Sequence, residues 1–362
     1  MTGTPQLADV VVIGAGQAGL GVGYHLRRAG ADFVILDAQE APGGAWRHVW
    51  PSLRLFTLAR HSSLPGRMMP TPPGDGYPDA PHVVSYFTDY ERRYRLPIVR
   101  PAAVRAVRRA DDRLAVESAA GLWHARIVVS ATGTWWRPYV PYYPGIRDFR
   151  GGQLHTAGYR GPEPFRGRRV LVVGGGNSAA QILADLSRVT EVAWATSRPP
   201  RLMPDELDGR AVFALTARRY RAVLAGRDPG DIPDLGDIIA VPPVREARDR
   251  GVLKAEPMFS RITPDGVTWS DGSAAAFDAI VWGTGFRPAL RHLAPLRLRG
   301  PGGVIAAEGT RVLAEPRLHL HGYGDWTGPA SDTLIGAGHN ARHLAAEIVT
   351  QLRSGPPRRR PA

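Results

Sequence analysis

The 362-residue chain contains no cysteine, and that gap removes several function classes at once. A disulfide framework, a thiolate metal site and a redox-active dithiol are all excluded. Lysine is nearly absent as well: Lys254 is the only one among 46 basic residues, and the rest are arginine. No apolar run approaches the roughly 20 residues of a membrane-spanning helix. Asparagine occurs only at Asn177 and Asn340. A cleavable leader is not expected, because a strand begins near Asp9 and its glycine turn belongs to the working fold. The expected location is the cytoplasm.

The formal charge is +13, but the arginines are spread through the chain rather than gathered on one motif. The exception is Pro356-Pro357-Arg358-Arg359-Arg360, so 355–362 is expected to be a disordered basic tail. With no nucleic-acid reader motif, neither nucleic acid nor membrane is an expected partner. Such a field instead assists anionic nucleotides to dock.

Two glycine fingerprints are present. Gly14-Ala15-Gly16-Gln17-Ala18-Gly19 follows the apolar run Val10–Ile13, and Gly174-Gly175-Gly176-Asn177-Ser178-Ala179 follows Val170–Val173. Each reads as strand, tight turn and helix start, the arrangement that seats a pyrophosphate on a helix N-terminus. Two such sites imply two dinucleotides. After the first, Asp37 closes the next strand, where a carboxylate accepts from ribose hydroxyls and repels a 2′-phosphate; this is the FAD or NAD half. The matching strand of the second copy ends Ala195-Thr196-Ser197-Arg198, with Arg201 close behind. A guanidinium there suits a 2′-phosphate and argues for NADPH, although an arginine-rich chain places arginine by chance as well.

The two halves share a plan. Helices are expected at Leu20–Ala29 and Ser178–Val189, each followed by a strand, a meander and a closing strand. The closing strands end in Ala131-Thr132-Gly133 and Gly283-Thr284-Gly285. The expected fold is α/β, with two Rossmann-like dinucleotide-binding domains of parallel sheet plus β-meander. The NADPH domain (156–278) is inserted in the FAD domain (1–155 and 279–354), and an insertion at about 199–250 could act as a lid or subunit contact. A homo-oligomer is compatible with this plan. Residues 46–81 read as an irregular loop large enough to cover a cofactor.

Pro42-Gly43-Gly44-Ala45-Trp46 lets backbone approach a ligand while tryptophan covers a ring system, or it is an ordinary turn with a buried Trp. Near the carboxyl end, Asp325 of Gly322–Gly328 could bond a flavin ribityl chain, and a helix beginning near Asp332 or Thr333 could face the flavin pyrimidine edge. Between the halves lies Phe149-Arg150-Gly151-Gly152-Gln153-Leu154-His155-Thr156-Ala157-Gly158-Tyr159. This segment, between two dinucleotide fingerprints, resembles the signature of class B flavin-dependent monooxygenases, the flavin-containing monooxygenase family. The Gly-Gly-x-Trp loop, both strand-end tripeptides and Gly324-Asp325-Trp326-Thr327-Gly328 fit as well. Within the family the chain looks closest to short bacterial members, including those found with arsenic-resistance operons.

The resemblance implies FAD on Gly14, Gly16, Gly19, Asp37, Gly44, Trp46 and Asp325. It implies NADPH on Gly174, Gly176, Asn177, Ser178 and Arg198, with His155 in the coupling linker. The catalytic group is then the flavin itself: C4a-hydroperoxyflavin, formed from NADPH and dioxygen, would pass one oxygen to a small soft nucleophile (sulfur, nitrogen or trivalent arsenic). The linker ends Tyr159-Arg160 rather than Trp-Pro, which favours heteroatom oxygenation over Baeyer–Villiger chemistry. No asparagine stands in Leu53–Pro65, where many members carry one beside the flavin. Two alternatives stay open: an NADPH oxidase or diaphorase releasing hydrogen peroxide, and a redox-sensing flavoprotein. A disulfide reductase would need the dithiol this chain lacks.

Overall fold

Val10–Ile13 and Val170–Val173 are apolar on both faces, and both runs are wholly buried, as central parallel strands covered by helices must be. A computed structural model describes residues 4–207, 209–228 and 237–354. The expected basic tail lies outside them.

The first stretch is β1 (Gln6–Ile13), α1 (Gln17–Arg28), β2 (Phe33–Leu36), α2 (Ala80–Tyr94), β3 (Ile98–Val99), β4 (Val104–Ala110), β5 (Arg113–Ser118) and β6 (Gly121–Ser130). A second unit follows with β7 (Gly152–His155), β8 (Arg169–Val173), α3 (Asn177–Leu186), β9 (Glu191–Thr196), α4 (Gly209–Leu224), α5 (Pro242–Asp249) and β10 (Ala255–Pro257). It ends with β11 (Arg261–Thr263), β12 (Gly266–Thr268), β13 (Ala274–Ala276) and β14 (Ala279–Trp282). The chain then returns through β15 (Ala307–Glu308), β16 (Arg311–Val312), β17 (Leu318–Leu320) and α6 (Leu334–Ser354).

Among the described residues there are three sheets: β15-β16-β17-β6-β1-β2-β3 with β4 and β5 attached, β10-β9-β8-β14-β7, and the meander β11-β12-β13. The α/β class with two parallel-sheet units is as expected. The repeat is visible atom by atom. Gly14 N–H donates to Leu36 O at 2.8 Å, and Gly174 N–H to Ala195 O at 2.9 Å. The residue after each meander strand is held by the first strand, Ala131 N–H to Ile13 O (2.9 Å) and Gly283 N–H to Val173 O (2.6 Å). Both leading glycines have positive φ and abut the closing tripeptide so tightly that a Cβ would lie 2.7 Å from Ala131 O or 2.2 Å from Gly283 O.

Sheet membership corrects the expected domain boundaries. β14 pairs in parallel with both β7 and β8, so 279–282 belongs to the second unit and not to the returning segment. β7 is part of that unit too, which therefore starts near Gly152 rather than at 156. The insertion is likewise not wholly peripheral: Val244 and Ala247 of α5 pack in one core with Ile182 and Leu183 of α3.

The loop after β2 is tied to both units. Leu55, Ala59, Leu64 and Met69 join the first core, beside α1 and α2. Trp50, 2% exposed, is in the second core. There it meets Tyr159 edge to face at 5.6 Å. Gln181 of α3 grips the backbone of Arg54 twice, accepting from its N–H at 2.9 Å and donating to its carbonyl at 3.0 Å. The loop is a strap between units.

Candidate functional site

Two cavities open where the glycine turns face each other. The first, about 980 Å³, runs from Asp37 past Gly14, Gly16 and Gly44 to Trp46, Trp135 and Asp332. The second, about 400 Å³, is lined by Gly176, Asn177, Ser178, Thr156, Leu55, Phe56 and Ile335, among others. Gln17, Trp46, Ser178, Phe286 and Asp332 line both. The two spaces therefore meet, and ligands reaching that meeting point from opposite sides would be in contact.

Each turn has room where a ligand needs it. A Cβ on Gly16 or on Gly176 would find no atom within 4 Å, whereas one on Gly19 would strike Gly14 O at 1.9 Å. Gly16 and Gly176 thus face open space at the cleft, while Gly19 must be small for the helix to pack against the turn. Gly44 closes over the first turn, with its Cβ direction 3.0 Å from Gly16 Cα. α1 and α3 begin at these turns, so their unpaired N–H groups and positive dipole ends face the cavities. That is the chemistry of a diphosphate seat.

The expected residues fall into two groups. Gly14, Gly16, Asp37, Gly44 and Trp46 line the first cavity, and Gly176, Asn177 and Ser178 the second. Gly19 and Gly174 support the turns from behind. Arg198 stands exposed just past β9, outside the cavity lining, while Arg201 pairs with Asp237 at 3.3 Å. Asn177 lines its cavity, yet its side chain is engaged with the insertion, donating to Asp237 O at 3.1 Å and accepting from Ile239 N at 2.9 Å.

Asp325 lines neither cavity. Its carboxylate accepts from Ala330 N–H at 3.0 Å and closes a turn away from the cavity. Asp332 is the acidic residue that lines both cavities. Its side chain is exposed along the open cleft, and the protein atoms around it push its carboxyl above the usual range. It is not the helix cap, because Thr333 Oγ1 takes the Gly336 N–H at 3.1 Å.

His155 is a linker residue. Its Nδ1 accepts from Ala157 N–H at 3.1 Å, so Nε2 carries the proton and donates to Gly285 O at 2.9 Å. Burial lowers its pKa, keeping it in that neutral tautomer. The linker is thereby pinned to the strand end beside Phe286, whose ring also meets His155 edge-on at 4.8 Å. Trp135 stacks on Phe286 at 5.2 Å and lines the first cavity, as does Trp136. Tyr143 packs in the second unit's core and Tyr142 is exposed.

Several lining residues carried little signal. Gln17 occupies a variable position of its fingerprint, and Phe286 simply follows the strand end Gly283-Thr284-Gly285. His292, buried and drawn down to about 4, accepts or donates with Ser130 Oγ at 3.0 Å in the first cavity's wall. Among the described residues no group of three or more His, Asp and Glu could hold a metal ion. No described helix is long and apolar enough to cross a membrane.

The sequence pattern of the family described as pyridine nucleotide-disulphide oxidoreductases matches residues 11–216, more than half of the chain. The chain belongs to that family. It is also 32% identical over 355 residues to an uncharacterized CzcO-like oxidoreductase of Geobacillus kaustophilus, covering 95% of this chain and 99% of that protein. A flavin-containing monooxygenase from Stenotrophomonas maltophilia has the same fold with a TM-score of 0.87 and 47% identity, over 96% of this chain and 99% of that one. An indole-3-pyruvate monooxygenase, YUCCA1, of Oryza sativa subsp. japonica is 26% identical over 384 residues, covering 95% of this chain and 92% of that protein. The family member described here is a flavin-dependent enzyme of the monooxygenase/oxidoreductase type that uses flavin and pyridine nucleotide. The disulphide chemistry in the family's description is closed to it, since it has no cysteine.

Proposed function

We propose that this chain is an FAD-dependent, NADPH-consuming monooxygenase acting with dioxygen on a small soft nucleophile. One observation carries the reading: the cavity of the first glycine turn and that of the second meet at Gln17, Trp46, Ser178, Phe286 and Asp332. FAD would lie along Gly14, Gly16, Asp37, Gly44 and Trp46, with its ring at that junction. NADPH would enter over Gly176, Asn177 and Ser178, with Arg198 toward its 2′-phosphate.

Held on those residues, FAD would supply the redox chemistry between the nicotinamide and dioxygen, one oxygen atom going to sulfur, nitrogen or trivalent arsenic and the other to water. The chain's own part is to align and to cover. The helix N-termini of α1 and α3 hold the diphosphates. Leu53, Leu55 and Phe56 of the strap give the cavities an apolar wall. Trp46 closes the flavin side. Among the described residues, Asp332 is the one acidic side chain lining both cavities.

The test is a product balance. Purified protein is supplied with NADPH, air and a thioether, and sulfoxide and hydrogen peroxide are both quantified against NADPH consumed. Sulfoxide approaching one per NADPH supports the reading. Peroxide as the sole product, whatever nucleophile is offered, makes the chain an oxidase. A protein that retains flavin but does not consume NADPH is a redox-sensing flavoprotein.

A further inference from the structure

The first cavity ends at Asp37, and the setting of that carboxylate is unusually elaborate. The Asp37 N–H donates to Val99 O at 3.1 Å, and Ala102 N–H donates to Asp37 O at 2.7 Å. Arg100 stands between those two backbone contacts. Its Nε donates to Asp37 Oδ2 at 2.6 Å, while its two terminal nitrogens donate to the two oxygens of Glu91, each at 2.7 Å. Glu91 belongs to α2. Asp37 is 4% exposed and Glu91 9%.

A guanidinium between two buried carboxylates is a poor source of stability, because desolvating three charges offsets most of their attraction. What the triad does supply is orientation. The bond to Oδ2 stops the Asp37 carboxylate from turning about its last torsion. Among the described residues the protein makes no hydrogen bond to Oδ1, and Asp37 lines the cavity while Arg100 and Glu91 do not. The forked, planar guanidinium can satisfy Glu91 with one edge and Asp37 with the other; a lysine has no such geometry.

We propose that Arg100 is a positioning residue for cofactor recognition, anchored by Glu91 and acting only through Asp37. It holds that carboxylate in the one orientation that accepts both hydroxyls of an adenosine ribose. The inference rests on the FAD assignment above and extends it: Arg100 makes the first cavity select flavin adenine dinucleotide over flavin mononucleotide, which lacks that ribose.

The experiment uses flavin-stripped protein titrated with FAD and, separately, with FMN, following flavin fluorescence. Wild type, Arg100→Gln, Arg100→Lys and the double variant Glu91→Gln/Arg100→Gln are compared, with thermal unfolding of each. Arg100→Gln is expected to weaken FAD by about ten- to a hundredfold, the worth of a charge-assisted hydrogen bond, and to leave FMN binding unchanged. Arg100→Lys should recover part of the loss. If Arg100→Gln fails to fold because Glu91 is stranded, the double variant removes that charge and should fold while still binding FAD weakly. The inference is overturned if folded variants bind FAD as wild type does, or if FAD and FMN weaken equally. Wild-type protein that binds neither flavin overturns the cofactor assignment itself and this inference with it, an outcome visible before any variant is made.

Discussion

The indole N–H of Trp46 donates to the side-chain oxygen of Gln17 at 3.0 Å. The other half of the same amide donates to the carbonyl of Asp332. Indole can only donate and a carbonyl can only accept, so the amide has one permitted orientation. Three distant segments are thereby joined at the place where the two cavities meet: the glycine-loop tryptophan, the first fingerprint and the turn before α6.

Gln17→Glu should disturb that junction without disturbing the fold. The carboxylate can still accept from Trp46 but can no longer donate to Asp332. Stability is expected to fall by only about 1–3 kcal/mol. Flavin reduction by NADPH, followed by stopped-flow absorbance, should slow at least tenfold because ring alignment is lost. An unchanged reduction rate would remove Gln17 from the junction.

Two neighbouring glycines should respond in opposite ways. Alanine at Gly19 puts a methyl 1.9 Å from Gly14 O, so Gly19→Ala should yield misfolded or strongly destabilised protein. Gly16→Ala has space for its methyl in the cofactor-free chain, so its thermal unfolding should match wild type without flavin. Its purified form should nonetheless be colourless, since the methyl occupies pyrophosphate space. Flavin content and unfolding temperature, measured side by side, check both halves.

Those glycines mark what was legible in the sequence. Apolar runs, tight turns and helix starts are local, so β1, β8, both fingerprints and β14 could be read directly. Residues brought together across the fold could not. Arg100 reaches Asp37 over 63 positions, and nothing distinguishes one arginine among so many. Asp325 stands out because its segment is rich in glycine, whereas Asp332, seven residues on and without such a mark, is the one that lines the cleft. Trp50 sits in a stretch rich in proline and serine that reads as loop, and only the packing reveals it as core of the second unit. The expected boundary after 278 failed for a related reason. A closing strand looks identical whichever sheet receives it, and pairing with β7 and β8 decides.

The strap makes its own prediction. Trp50→Ala removes a fully buried indole together with its contact to Tyr159, a change of about 3–5 kcal/mol in comparable cores. The second unit should lose more protection than the first, because Leu55, Ala59 and Leu64 still tie the strap's other end to α1 and α2. Hydrogen exchange read by mass spectrometry should therefore show faster exchange in α3 and α5 than in α1. Equal acceleration throughout would mean that the strap does not attach selectively.

Acid should weaken the fold through histidines rather than through the cleft. Burial holds His292, His319 and His321 at about 4, against about 6.5 in an unfolded chain. Between those values the unfolded state binds protons that the folded state refuses, so stability falls as pH drops through this window and is fully retained above it. These three alone should take up nearly three protons on unfolding near pH 5, seen as a urea midpoint that declines steadily from pH 7.5 to pH 5. His319 is the cleanest single probe, because its ring hydrogen-bonds Thr310 Oγ1 (3.1 Å) and the Gln351 amide oxygen (3.2 Å), and it lines neither cavity. His319→Gln should reduce the proton uptake by about one and flatten the decline accordingly. A midpoint equally steep in that variant would show that His319 is already protonated in the folded chain, and that burial alone does not set its charge.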